Sequence, residues 1–173
     1  MSSENRVEVQ NPLAVANYVI DLAVSEKHPV TNLKLQKILY YLQAAFLHEE
    51  RQPLIDTKFS RWQFGPVSQE VYYSFNSHGA SAITEPAQTI DFEEFDIETP
   101  KINIEEKYVD ELKEYTINLL KIPAWELVEK THEQALWSDY SDDIKAFSAP
   151  DYNNEEIQKY FDEGSAEELW KSN

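Results

Sequence analysis

Residues 33–47 read LKLQKILYYLQAAFL, and this stretch constrains the chain more than any other. Leu35, Ile38, Leu39, Leu42, Ala45 and Phe46 recur at offsets of 0, 3, 4, 7, 10 and 11, the spacing of one helix face. Leu33, Tyr40, Tyr41 and Leu47 widen the apolar surface beyond one face. A helix that is apolar nearly all round needs other elements packed around it, so it is expected at the centre of a core. Thr31 or Asn32 caps its start. Lys34, Lys37 and Gln43 are left for solvent or a partner, while Gln36 at the stripe edge reads either as a buried hydrogen-bond hub or as a boundary side chain.

The flanking segments supply those elements. Asn11-Pro12 has the form of a helix start, and Leu13, Ala14, Val15, Tyr18, Val19, Leu22 and Ala23 give that helix an inward face that stops before Pro29. FSRWQF at residues 59–64 suits a short extended arm closed by Gly65-Pro66, and Ser68 can cap a following helix that ends near Gly79. Ile90, Phe92, Phe95 and Ile97, set among acids without helical period, suit an edge strand or ordered loop. Helical patterns return over Glu105–Lys121, after Pro123, and after Asn153 or Asn154, and Ser165-Ala166-Glu167-Glu168 has capping-box form. The expected fold is mainly α: a compact helical domain of about six to seven helices. At most a short β-hairpin or edge strands are expected, around residues 58–64 and 90–104. Residues 1–10 read as a flexible tail, 11–163 as the domain, and 164–173 as a C-terminal helical turn or tail.

Composition narrows the function by exclusion. Zero Cys removes disulfides, zinc knuckles and thiol catalysis. The four His (His28, His48, His78, His132) stand apart without metal-ligand spacing, so no metal site is expected. Three Gly cannot build a phosphate-cradling loop, and no GxSxG elbow occurs, so neither a cofactor nor a catalytic residue is assigned. His132 alone has the apolar and aromatic neighbours a general base would use, and a structural role competes with that reading. No run approaches a membrane span, and MSSENRVEVQ has no apolar signal core, which fits a cytoplasmic setting.

Charge is distributed unevenly. Residues 1–80 hold 7 Lys+Arg against 8 Asp+Glu, while residues 81–173 hold 8 against 24, so nearly all of the −17 lies in the second half. Such a surface repels a phosphate backbone, which argues against direct nucleic-acid binding. It suits a basic partner, a mimic of nucleic-acid charge, or simply a solvated face. Glu93, Glu94, Asp142 and Asp143 are the acidic candidates for partner contact. Trp170, near the C-terminus, is the tryptophan expected to be exposed and to contact a partner; Trp62, Trp125 and Trp137 are expected in the core.

Four blocks between residues 12 and 161 carry a resemblance. They are a helix leading into PVTNLKLQKILY, then W-x-F-G-P-V-x-x-x-V-Y from Trp62 to Tyr72, then Thr131-His132 followed by Trp137, and lastly Ile157 to Tyr160-Phe161. Their order and spacing closely resemble the Panacea domain, the SocA-like antitoxin family. Phe64 stands where Tyr is usual, and Ala135-Leu136 replaces a frequent Pro. The resemblance implies a non-enzymatic antitoxin that neutralises a cognate toxin by direct binding, the toxin being expected to be basic. It also implies two alternatives: a proteolytic adaptor delivering its partner to an AAA+ protease such as ClpXP, or a phage or mobile-element accessory protein. Under it Asn32, Lys34, Gln36, Lys37, Tyr40, Trp62, Gly65, Pro66, Tyr72, His132 and Trp137 are scaffold or platform positions.

Overall fold

Asn11 and Thr31 start the first two helices as their side chains allow. A computed structural model describes residues 6–172. In it the Asn11 carboxamide accepts from the Leu13 amide at the head of α1 (Pro12–Ser25), and Thr31 Oγ1 accepts from the Lys34 amide at the head of α2 (Asn32–Ala45). The last turn of α2 widens into a π-turn over Phe46–Glu50, which ends on Arg51 at φ +61°. Next come an antiparallel hairpin of β1 (Phe59–Trp62) and β2 (Gly65–Ser68), then α3 (Gln69–Phe75) with a 3₁₀ turn over Asn76–His78. A second hairpin pairs β3 (Thr89–Asp91) with β4 (Asp96–Glu98). The chain closes with α4 (Glu106–Leu120), α5 (Ala124–Glu133), α6 (Ala135–Ser138), α7 (Ser141–Lys145) and α8 (Asn154–Asp162). The fold is mainly α, with eight α-helices among the described residues against the six or seven expected. The additional short helices, α6 and α7, lie in a stretch too brief and polar to show a period.

Residues Lys34 to Leu47 are buried without interruption, so α2 is the axis of the core. It packs against α1, α4, α5, α8 and the β1–β2 hairpin. Tyr40 sits at the aromatic centre, with ring centroids 5.3 Å from Tyr41, 5.8 Å from Phe59 and 5.4 Å from Tyr152. Edge-to-face contacts of this kind add to the large area each ring buries. No described helix is long and apolar enough to cross a membrane.

Both ends of the chain differ from expectation. Residues 1–5 of the expected tail lie outside the described residues. Val7 and Gln10 are buried; the Gln10 amide donates to the Leu54 carbonyl at 2.8 Å, and Gln10 Oε1 accepts from the Asn103 amide at 2.7 Å. Val7 and Gln10 are therefore pinned across the body. At the other end Ser165–Glu168 forms no helix, and Trp170 is not exposed but 0% accessible. Its ring lies 5.4 Å from Phe161, and its carbonyl accepts from Asn118 Nδ2 at 2.8 Å. The area buried by one indole outweighs the weak propensity of a single helical turn. Trp125, expected inside, is 60% exposed, because it stands in the first turn of α5 while Leu127, Val128 and Thr131 face inward. Trp62 and Trp137 are half-buried.

Candidate functional site

The polar residues of α2 are turned into the core. Asn32 Nδ2 donates to the Tyr72 carbonyl at 3.0 Å and Asn32 Oδ1 accepts from Gln36 Nε2 at 3.0 Å. Gln36 Oε1 accepts from the Ser68 amide at 2.8 Å, which fixes the junction of β2 and α3 and makes Gln36 the hub of the two readings. Lys37 Nζ donates to the Pro66 carbonyl at 3.0 Å, and Lys34 Nζ to the Leu120 carbonyl. Tyr40 OH donates to Gln134 Oε1 at 2.6 Å. Gln43 Oε1 accepts from the Leu54 and Ile55 amides at 3.0 and 2.8 Å. Lys34, Lys37 and Gln43 are therefore not solvent-facing as expected. Each reaches a backbone group that no regular ladder satisfies, and a buried polar atom must find such a partner. The motif residues of α2 thus hold β2, α3, the end of α4 and Gln134 between α5 and α6.

The β1–β2 corner is built onto this face. Gly65 has φ +103°, and a Cβ there would lie 2.6 Å from Thr131 Oγ1 and 2.8 Å from Lys37 Cε. Trp137 Nε1 donates to the Trp62 carbonyl at 2.8 Å, His132 stacks on Trp137 with centroids 3.9 Å apart, and Trp62 meets Tyr72 edge-on at 5.0 Å. Of the motif positions, Asn32, Lys34, Gln36, Lys37, Tyr40, Gly65 and Pro66 are buried; Trp62, Tyr72, His132 and Trp137 form a half-buried aromatic rim above them.

Chemically this cluster is a frame. Burial holds His132 below the usual histidine range, the Gln63 backbone pulls the other way, and the neighbouring Lys37 amine adds to the lowering. Its Nε2 is buried without a hydrogen-bond partner, and no hydrogen bond or ion pair between His132 and a carboxylate occurs among the described residues.

Burial pushes the Lys37 ammonium from 10.5 down to about 7. Between those values the unfolded chain holds the proton and the folded chain does not, so stability rises with pH across that window. Urea midpoints are expected to climb from pH 7 to about 9.5, below the range where tyrosines ionise. They should climb less steeply in Lys37→Met; an identical slope in the variant would assign the effect elsewhere.

Arg61, unremarked in the sequence, is the most heavily engaged buried charge. Its Nε donates to the Leu136 carbonyl at 2.7 Å, Nη1 to the Pro150 and Asp151 carbonyls at 2.8 and 3.0 Å, and Nη2 to Glu156 Oε1 at 2.6 Å. The guanidinium lies 3.8 Å from the Tyr140 ring centroid and 4.3 Å from that of Tyr152. Only the alternation of arginine among aromatics in FSRWQF could have hinted at such stacking.

His48, Glu49 and Glu168 bring ligand atoms within 4.8 Å of one another. Both His48 ring nitrogens already face carboxylates, Asp162 at 2.6 Å and Glu168 at 2.8 Å, and Lys171 lies 3.2 Å from Glu49. These contacts dock the C-terminal segment against the π-turn. Glu93 and Glu94 are exposed on the turn between β3 and β4, and Asp142 and Asp143 are exposed on α7. The structure keeps these two acidic pairs on separate elements, and Trp170, buried beside Phe161, joins neither.

The polar side chains of a central helix thus hold a hairpin corner beneath an aromatic rim. The family model described as "Antitoxin SocA-like, Panacea domain" matches residues 35–138, about three-fifths of the chain. The chain belongs to that family. Antitoxin SocA of Caulobacter vibrioides (strain NA1000 / CB15N) is 41% identical over 70 residues, 40% of this chain and 37% of that protein. The matched stretch is thus little more than a third of that relative's length. No solved structure matches.

Proposed function

We propose that this chain is an antitoxin that neutralises a cognate toxin by direct protein–protein binding in the cytoplasm. Family membership over residues 35–138 carries the reading. The acidic second half gives it a physical form. A surface holding 24 Asp+Glu against 8 Lys+Arg favours a basic toxin, speeds encounter with it and disfavours acidic competitors. Glu93, Glu94, Asp142 and Asp143 are exposed and are the proposed acidic contacts. The motif residues hold the scaffold, and toxin choice falls to the surface they support.

Co-expression with the product of the neighbouring gene tests the proposal. Growth arrested by that product is expected to recover when this chain is present, and the two proteins are expected to co-purify. No rescue and no complex would sink the reading. Association is expected to slow as salt is raised, since exposed charges are screened over about 8 Å at physiological ionic strength; a salt-independent rate would remove the charge component.

A further inference from the structure

The β3–β4 hairpin is the part of the fold whose side chains the core does not explain. Its strands pack chiefly on each other. Ile90 pairs directly with Ile97, so both stand on one face of the ribbon, while Asp91 pairs with Asp96 and Thr89 with Glu98 on the other. Phe92 and Phe95 bound the connecting turn, two residues beyond Ile90 and two before Ile97. These four residues are exposed by 59% (Ile90), 64% (Ile97), 77% (Phe92) and 88% (Phe95). Four large apolar side chains in ten residues are unusual for a water-facing ribbon and form a patch of the kind that marks contact sites.

The turn itself is built deliberately. Asp91 Oδ1 accepts from the Glu93 and Glu94 amides at 2.9 and 3.2 Å. Phe95 sits at φ +53°, a left-handed conformation that strains a bulky residue. Glycine or asparagine would serve the turn better. Among the described residues Phe95 has no ring contact, and its side chain is 88% exposed.

Charge identifies the occupant. Residues 89–98 carry Asp91, Glu93, Glu94, Asp96 and Glu98 and no Lys or Arg. Nucleic acid and anionic membrane are repelled by such a ribbon. A second copy is disfavoured, because it brings the same five carboxylates and a net charge of −17. The complement is a protein surface with an apolar pocket rimmed by lysine and arginine.

We infer that the β3–β4 hairpin is the toxin-docking arm: Phe92, Phe95, Ile90 and Ile97 seat in an apolar pocket on the toxin, and the surrounding carboxylates pair with its basic rim. The inference rests on the antitoxin reading and names the surface that executes it. Energy comes from the buried aromatics, and rate and partner choice come from the carboxylates.

Phe95→Gly is the decisive variant, because it removes the side chain while suiting the backbone, so folding is expected to be unchanged or improved. Affinity of the full chain for the neighbouring gene's product is measured for wild type, Phe95→Gly, Phe92→Ser/Phe95→Gly and Val24→Ser, the last altering an exposed apolar residue on α1. The double variant is expected to bind at least about thirty-fold more weakly and to lose growth rescue, with Val24→Ser within about threefold of wild type. Glu93→Gln/Glu94→Gln is expected to slow association and reduce its salt dependence. If wild type binds and rescues and the double variant does so equally, the arm is wrong and the antitoxin reading stands. If wild type neither binds nor rescues, the antitoxin reading fails and the arm with it. If instead wild type is a dimer that Phe95→Gly converts to monomer, the occupant is a second copy and the proposal is overturned.

Discussion

Gly65→Ala is expected to lower the unfolding free energy by about 2–6 kcal/mol. Two penalties combine. At φ +103° an L side chain strains the backbone by roughly 1–3 kcal/mol. The added methyl would also stand 2.6 Å from Thr131 Oγ1 and 2.8 Å from Lys37 Cε. Overpacking of that kind costs about 1–3 kcal/mol more. Neither neighbour yields freely: Thr131 Oγ1 donates to the Val128 carbonyl at 2.8 Å, and Lys37 Nζ is held by Pro66. Domains of this kind are stable by about 5–15 kcal/mol in total, so the loss should appear as a much lower urea midpoint. Binding of the proposed toxin partner is then expected to fall only as the folded fraction falls. A shift below about 1 kcal/mol would mean that the corner relaxes at little cost, and Gly65 would need another explanation for its place in the motif.

Arg61→Ala is expected to cost a similar amount, about 3–5 kcal/mol, by removing one partner of a buried charged network. The change strands the Leu136, Pro150 and Asp151 carbonyls and leaves Glu156 without its 2.6 Å partner. Tyr140 and Tyr152 lose the cation between them. Arg61→Lys should recover less than half of the loss, since an ammonium cannot reproduce a planar fork that donates in several directions and stacks on two rings. Chemical denaturation of Arg61→Ala, Arg61→Lys and Glu156→Gln, together with the Arg61→Ala/Glu156→Gln pair, measures the coupling directly. A fully restored midpoint in Arg61→Lys would show that charge alone matters. The consequence reaches beyond stability, because Arg61 ties β1 to the segment bearing α6, α7 and α8 and so holds Asp142 and Asp143 in place against the motif frame.

Much of the architecture can be read locally. Asn11, Thr31 and Asn153 cap helices as their side chains suggest, and Asn153 forms a full capping box with Glu156. The apolar stripe of α2 marks the core axis without any knowledge of its neighbours. The acidic stretch from Ile90 to Glu98 was legible as an edge strand or ordered loop, and the exposure of its four apolar residues was not. The candidate site was less readable than the fold. Lys34, Lys37 and Gln43 look like solvent residues in a helix pattern, and Arg61 looks like one charge in an aromatic run. Trp170 looks like a loose terminal aromatic and Trp125 like a core one, and each is the reverse.

Periodicity, caps and family motif are properties of neighbouring residues, so the chain alone specified a mainly α domain of the Panacea family centred on α2. Whether a polar side chain within that pattern is buried depends on who meets it. Lys37 finds Pro66 29 positions away, Arg61 finds Glu156 95 away, and Gln43 finds Asn154 111 away. Burial of a charge or amide is favourable only when such partners arrive with the right geometry. That arrival is a property of the folded chain, and it is what turned a row of apparent surface residues into the frame of the site.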